Sequence, residues 1–273
     1  MSTSHAAFAG TIPAIYDACL GPLLFEFSAD DLAGRVAGHV CEGRVLELAC
    51  GTGILTQFLR RALPPAVEIL ATDLNPGMLD YARAHRDGML GVQYEQADAL
   101  ELPYEDASCD AVICQFGIMF FPDLAKGIAE MLRVLRPGGL VACNVWDALE
   151  ANPVAGLAHE TIARHFDADP PRFLQVPFGS CSYDATLAAF QEAGFESVHG
   201  EVVEATIERP SALEVAKGFV EGNPGVLEIR ERASASPEQI VEELAHAIEA
   251  ANGPPPLRFP LREFVFTGTA PRA

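Results

Sequence analysis

Between Arg44 and Trp146 the chain alternates short apolar runs of strand character with stretches whose apolar residues recur at helical spacing. "RVLELA" reads as a strand and Ile54–Ala62 as the helix after it. "VEILATD" is a second strand. The next helix covers Pro76–Arg86, with Asn75 placed to cap it and Pro76 at its first position. "VQYEQA" is a third strand. "DAVICQF" is a fourth, too continuously apolar to have a wet face and therefore central. A helix over Leu124–Leu135 is stopped by Pro137-Gly138-Gly139, and "LVACNVW" is the fifth strand. Strands interleaved with helices imply an α/β fold, a doubly wound and mostly parallel sheet with right-handed crossovers.

After Trp146 the rhythm changes. Residues 147–183 read as a less regular connection containing "DADPP" and "QVPFG". A helix over Ala185–Ala193 and a strand "SVHGEVVEATI" follow. "SALEVAKGFV" and Pro237–Ala251 then form two helices of an insertion, and "LRFPLREFVFTGTA" is a long final strand. The expected organisation is one domain over 1–273. It has an N-terminal helical segment (1–40), a ligand-binding core (41–150), and the rest of the sheet (151–273) with a helical cap near 209–255. The cap reads equally as extra cover for the core and as a lid over a substrate cavity.

Composition narrows the function classes. Of 273 residues, 49% are hydrophobic and 21% charged, as in an ordinary globular protein. The net charge is −20, with 9 basic and 20 acidic residues up to Glu150 and 9 and 18 after it. Acidity spread this evenly serves solubility and repels phosphate backbones and anionic lipid, which excludes nucleic acid and membrane as expected partners. Seven dispersed cysteines without a C-x-x-C pair suit a reducing compartment. "MSTSHAAFAG" lacks the basic and apolar regions of a signal peptide, and "AVICQFGIMFF" is too short to span a bilayer. The expected location is cytoplasmic.

The chemistry concentrates in "VLELACGTGILT", where a buried strand ends in Gly51-Thr52-Gly53 and a helix begins. Glycines there permit a tight turn and close approach of the main chain to a ligand beyond the carboxyl ends of the strands. A dinucleotide fingerprint would be G-x-G-x-x-G/A with an acidic residue about 20 positions later. Asp73, ending the second strand, supplies the acid and can accept from both hydroxyls of a ribose. Thr56 stands where the third glycine would fall, and Ala49 precedes the turn; both weaken the pyrophosphate reading.

Four motifs in this order, "VLELACGTG", "ATDLNPGML", "YEQADALELPYEDASCDAVICQFGIMFF" and "LRVLRPGGLVACNVW", resemble the class I S-adenosylmethionine-dependent methyltransferases. Within that class the chain is similar to the ubiquinone/menaquinone-biosynthesis type, well over residues 40–147 and in outline elsewhere. The resemblance implies a Rossmann-like seven-stranded sheet with an antiparallel last strand. It implies S-adenosyl-L-methionine as cofactor, with S-adenosyl-L-homocysteine as product. Glu47 and the Ala49–Gly53 turn would face the methionine part, Gly51 and Gly53 leaving room and Glu47 orienting the ammonium. Asp73 would hold the ribose, with Leu74 and Met78 packing on the adenine. Asp98 would accept from the adenine amino group, and the Ala99 N–H would reach a ring nitrogen. Gln115 and Phe116 would lie beside the sulfonium and its methyl, with Tyr16 and Phe25 of the N-terminal segment folded over the methyl donor. Each position also has a plain structural reading: Asp98 as a turn cap, Met78 as core. Arg136-Pro137-Gly138-Gly139 lies at the other end of the sheet, where proline ends the helix and the glycines supply positive φ.

A sulfonium is already a strong electrophile, so such an enzyme mainly aligns the reactants, and positioning supplies roughly 7–11 kcal/mol. A base matters only when the acceptor must lose a proton. The candidates are His159 foremost, then Tyr16, Asp147 and His165. No metal is expected, because Asp147 and Asn152 alone do not make a Mg²⁺ site. "QFGIMFF", "FLQVPFG" and the cap suggest a cavity with apolar walls. The expected acceptor is a small, largely apolar or aromatic molecule. A non-catalytic S-adenosylmethionine-binding regulatory or partner protein is the alternative, and a nicotinamide-dependent oxidoreductase comes third. Monomer and homodimer are both open. Trp146, the only tryptophan, is expected near the pocket.

Overall fold

The computed structural model of the protein describes residues 10–86 and 88–272. The stretch read for a leader and the start of the N-terminal segment, residues 1–9, lie outside the described residues. Among the described residues seven strands form one sheet: β1 (Gly43–Leu48), β2 (Val67–Asp73), β3 (Val92–Gln96), β4 (Cys109–Gln115), β5 (Leu135–Trp146), β6 (Glu196–Arg209) and β7 (Leu257–Thr269). Their spatial order is β3-β2-β1-β4-β5-β7-β6. The first five pair in parallel, and β7 runs antiparallel to both β5 and β6. The chain winds outward from β1 to β3 and returns to β4 on the other side of β1. The crevice where strand order reverses therefore opens between the carboxyl ends of β1 and β4. β4 is central as its composition requires, with Ala111, Val112, Ile113 and Cys114 fully buried.

The helices are α1 (Ile12–Ile15), α2 (Glu26–Ala37), α3 (Ile54–Ala62), α4 (Pro76–Arg86), α5 (Leu124–Val134), α6 (Pro153–Ala163), α7 (Tyr183–Glu192), α8 (Ala212–Glu221), α9 (Gly225–Arg232) and α10 (Pro237–Asn252). A π-helical stretch, Tyr16–Phe25, joins α1 to α2. Strand alternation assigns the faces. Glu263 of β7 points toward α2, where Ser28 meets it, whereas Phe264 and Phe266 pack on Tyr183 of α7. Local sequence sets the helix starts. Asn75 Oδ1 accepts from the Gly77 and Met78 N–H groups, Asp123 caps α5, and Ser236 with Gln239 closes a capping box on α10.

Several elements differ from the sequence expectation. The segment 147–183 contains a full helix, α6. Its sequence PVAGLAHETIA carries no clear polar stripe because it packs against α8, α10 and β7 together. The cap has three helices, α9 being added to the two expected. α5 ends at Val134, and Leu135 already pairs with Cys109. Pairing resumes at Ala111 with Leu140, so Arg136–Gly139 bulges from the ladder instead of stopping a helix. Only Gly138 there has a left-handed φ, +76°. Gly139 is needed for room, since a Cβ on it would stand 2.9 Å from the Arg136 carbonyl oxygen. The bulge is clamped by Arg136, whose guanidinium donates to both Asp110 oxygens at 2.8 and 2.9 Å.

Candidate active site at the carboxyl ends of the strands

The turn leaving β1 is built from three left-handed residues, Ala49 (φ +52°), Gly51 (+56°) and Gly53 (+81°). It is pinned by the Cys50 N–H to the Thr72 carbonyl (2.9 Å) and the Gly53 N–H to the Cys50 carbonyl (2.9 Å). The two glycines do different work. A Cβ on Gly51 would meet nothing within 4 Å, so this residue borders open space. A Cβ on Gly53 would stand 3.0 Å from the Tyr94 hydroxyl and 3.2 Å from Arg86 Cγ. Gly53 therefore serves packing against β3 and α4, and only Gly51 leaves room for a ligand.

Two carboxyls flank this turn. Asp73 Oδ2 accepts from the Gly51 N–H at 2.8 Å and Oδ1 from the Asn75 N–H at 2.7 Å, tying the end of β2 to the turn. Glu47 is 1% exposed. Its Oε2 accepts from the Thr56 hydroxyl at 2.7 Å, while its Oε1 is buried with no hydrogen-bond partner. Burial pushes the Glu47 carboxyl up to about 8, the Thr56 bond opposing and the Asp73 charge adding to the shift. Thr56 thus stands at the third-glycine position because it anchors Glu47.

This donor set fits S-adenosylmethionine. An orphaned carboxyl oxygen beneath the turn suits an ammonium, and the space at Gly51 suits the chain that bears it. It fits a pyrophosphate poorly, since Glu47 and Asp73 would face it and Asp73 already takes the Gly51 N–H.

The adenine candidates gather beside Asp73. The Ala97 N–H donates to the Asp73 carbonyl at 3.2 Å, which brings Asp98 and Ala99 to the end of β2. Leu74 is 50% exposed, an apolar side chain facing water at the site's edge, whereas Met78 is core. Asp98 caps its own turn, Oδ1 accepting from the Leu100 N–H at 2.9 Å.

On the other side of the switch point lies a run of aromatic rings. Tyr16 stacks on Phe25 (centroids 4.8 Å apart), Phe25 meets Phe116 (5.9 Å), Phe116 stacks on Trp146 (4.1 Å, 7° between planes) and Trp146 on Phe178 (5.4 Å). Phe116 has φ +50°, and its N–H donates to Asn144 Oδ1 at 2.9 Å. Gln115 Nε2 donates to the Phe25 carbonyl at 2.9 Å, binding the π-helical stretch to β4. A Cβ on Gly117 would lie 2.6 Å from the Ala49 Cβ, so the exits of β1 and β4 touch there. The Tyr16 hydroxyl is held protonated, its pKa pushed well above the tyrosine range by burial, then by the Asp73 and Asp17 charges. Asp17 in turn pairs with Arg86 at 2.7 Å, joining the N-terminal segment to α4.

The base candidates are dispersed. Asp147 pairs with Arg262 (3.3 Å) and accepts from the Ala148 N–H (2.7 Å). His165 pairs with Glu243 at 2.8 Å. His159 meets the Gln175 amide at 3.0 Å. The Asn152 amide is spent on the Asp147, Ala148 and Arg262 carbonyls. A cleft of about 420 Å³ opens beside Asp147, Cys181, Tyr183 and Thr186. A second, of about 500 Å³, lies at the opposite end of the sheet by Arg44, Asp106 and Arg136, away from the glycine turn. Among the described residues no cluster of three or more His, Cys, Asp or Glu could hold a metal, and no helix is long and apolar enough to cross a membrane. Sequence reasoning missed Thr56, Asn144, Gly117 and Glu263. The signal for Asn144 and Glu263 was a single polar residue inside an apolar strand, "ACNVW" and "REFVF".

Sheet order and the switch-point turn are those of the Rossmann-like fold of class I methyltransferases. The family described as "Methyltransferase domain" matches residues 45–139. Over 97 residues the chain is 50% identical to the demethylmenaquinone methyltransferase of Deinococcus radiodurans, covering 35% of this chain. The match spans 40% of that relative's length. Among solved structures, YcgJ of Bacillus subtilis superposes with a TM-score of 0.59 at 21% identity, covering 90% of this chain and all of that one. Phosphoethanolamine N-methyltransferase 2 of Haemonchus contortus, in complex with S-adenosyl-L-methionine, gives 0.62 at 16% identity, covering 99% of this chain and 61% of that one. At these identities the solved structures speak for the fold.

Proposed function

We propose that the protein transfers the S-methyl group of S-adenosylmethionine to a small, largely apolar or aromatic acceptor by in-line displacement. The observation that carries this reading is the buried, unpartnered Glu47 oxygen beneath a glycine turn that borders open space and is held by Asp73. When bound, the cofactor supplies an electrophilic methyl whose C–S bond breaks with its electrons passing to sulfur as the acceptor's lone pair bonds to carbon. The protein's part is binding, alignment and exclusion of water. Glu47 takes the ammonium, Asp73 the ribose, and Leu74, Met78, Asp98 and Ala99 the adenine. Phe116, Gln115, Tyr16 and Phe25 flank the methyl. Helices α8–α10 act as a lid, α8 packing directly on the stretch that bears Tyr16. Kinship of the core with a demethylmenaquinone methyltransferase supports a small-molecule acceptor.

Where the acceptor must lose a proton, His159 is the base. Its partner is the uncharged Gln175 amide, whereas Asp147 faces Arg262 and His165 faces Glu243. His159→Ala should then lower turnover by about 100-fold or more, and unchanged turnover would remove it from the mechanism. The reading as a whole is tested by S-adenosylhomocysteine formation with a panel of small phenolic, quinol and amine acceptors beside tRNA and protein. Product with a small acceptor supports it. Product only with the macromolecules overturns the acceptor class, and cofactor binding without product in any arm favours the non-catalytic alternative.

A further inference from the structure

Glu263 is fully buried in the middle of β7, in register with Trp146 of β5 and Val203 of β6. Its Oε2 accepts from the Ser28 hydroxyl of α2 at 2.7 Å and from Asn144 Nδ2 at 2.9 Å. Asn144 is itself fully buried, and its Oδ1 accepts from the Phe116 N–H. A continuous chain of hydrogen bonds thus runs from α2 through the sheet to the backbone of a residue that lines the methyl-donor site. Its end point needs holding. Phe116 is a bulky residue in left-handed backbone, a conformation that persists only when its surroundings impose it. An asparagine can hold that N–H only with its oxygen forward. A carboxyl behind it, accepting from its NH₂, fixes that orientation.

We propose that Glu263, with Ser28, is a positioning residue for the methyl-transfer site: it orients the Asn144 amide, which holds the Phe116 backbone and so sets the Phe116 ring against Trp146. The functional half of this proposal rests on the methyl-transfer reading; the geometric half does not. Glu263 touches neither cofactor nor acceptor and acts through Asn144.

The test measures amide hydrogen exchange at Phe116 by NMR and S-adenosylhomocysteine affinity by calorimetry, in the full chain. Asn144→Leu and Glu263→Leu should each speed exchange at Phe116 and weaken S-adenosylhomocysteine, by about tenfold for one lost link. Glu263→Gln, which keeps an oxygen for both donors, should stay within about twofold of wild type. Phe190→Leu, a buried change on the α7 face, controls for general destabilisation and should leave both readouts alone. Unchanged exchange at Phe116 in Glu263→Leu would overturn the relay. Faster exchange with unchanged affinity would overturn its positioning role. A wild-type chain that binds no S-adenosylhomocysteine but shows the exchange pattern would sink the methyl-transfer reading, and the functional half of the proposal with it, while leaving the geometric relay intact.

Discussion

Two glutamates lie buried on either side of the site, Glu47 under the glycine turn of β1 and Glu263 under the aromatic wall at β5. Each has one oxygen hydrogen-bonded and one without a partner, and burial pushes each carboxyl up to about 8. They differ in what holds them. Glu47 has a single tie, Thr56, nine residues along the chain, and its orphan oxygen lies where the proposed function places the cofactor's ammonium. Glu263 is stitched to two elements, with Ser28 235 residues away in sequence and Asn144 119. The first is a local device awaiting a charge. The second is a tertiary device already satisfied on its working oxygen. Burial of an acid does not by itself mark a binding group; the distinction lies in its partners.

The two acids respond most strongly to pH. A carboxyl whose folded pKa is raised holds its proton more tightly folded than unfolded. The stability it contributes is complete below about pH 4.5 and erodes as pH climbs toward 8. Urea unfolding should therefore show stability falling from pH 5.5 to 8, by on the order of 3 kcal/mol for each group. Glu47→Gln and Glu263→Gln should each remove their share of the fall. S-adenosylhomocysteine should blunt the Glu47 share alone, by supplying the missing cation. A flat profile in the wild type would contradict the account of both acids.

The two glycines sharpen the contrast between ligand space and packing. Gly53→Ala should lower stability by about 2–3 kcal/mol, because strain is joined by the clash with Tyr94 and Arg86. Gly51→Ala should lose only about 1 kcal/mol of stability, yet weaken S-adenosylhomocysteine by tenfold or so. Thermal melts and calorimetry on the pair separate the roles. The smallest effect is expected at Ala49. Its left-handed backbone makes Ala49→Gly stabilising by about 0.5 kcal/mol, and a loss of stability there would mean the methyl group packs better than its neighbours suggest.

The parts legible in sequence were those encoded locally. β1 to β5, α3 and α4 announce themselves by alternating periodicity, and Asp73 is singled out by its distance from the glycines, whereas Glu47 is pointed to only by the resemblance of "VLELACGTG" to a known motif. α6 was missed because a helix buried on several sides loses the polar stripe that reveals it, and α9 because eight residues opening with glycine carry little pattern. The bulge at Arg136–Gly139 looks like a helix stop because proline and glycine serve both purposes. Gly51 and Gly53 cannot be told apart until Tyr94 and Arg86 are placed around one of them. The chain from Ser28 to Phe116 was invisible for the same reason: it exists only once four distant segments meet.

The proposed function stands on the turn at Gly51 and the carboxylate of Asp73 receiving S-adenosylmethionine. Calorimetric titration of the full chain with S-adenosylmethionine, S-adenosylhomocysteine and NAD⁺, repeated on Asp73→Ala, tests it most directly. Both sulfur cofactors should bind, about 100-fold more weakly after the substitution, and NAD⁺ should not. Wild-type protein that ignores the sulfur cofactors, or binding that survives the loss of Asp73, would contradict it.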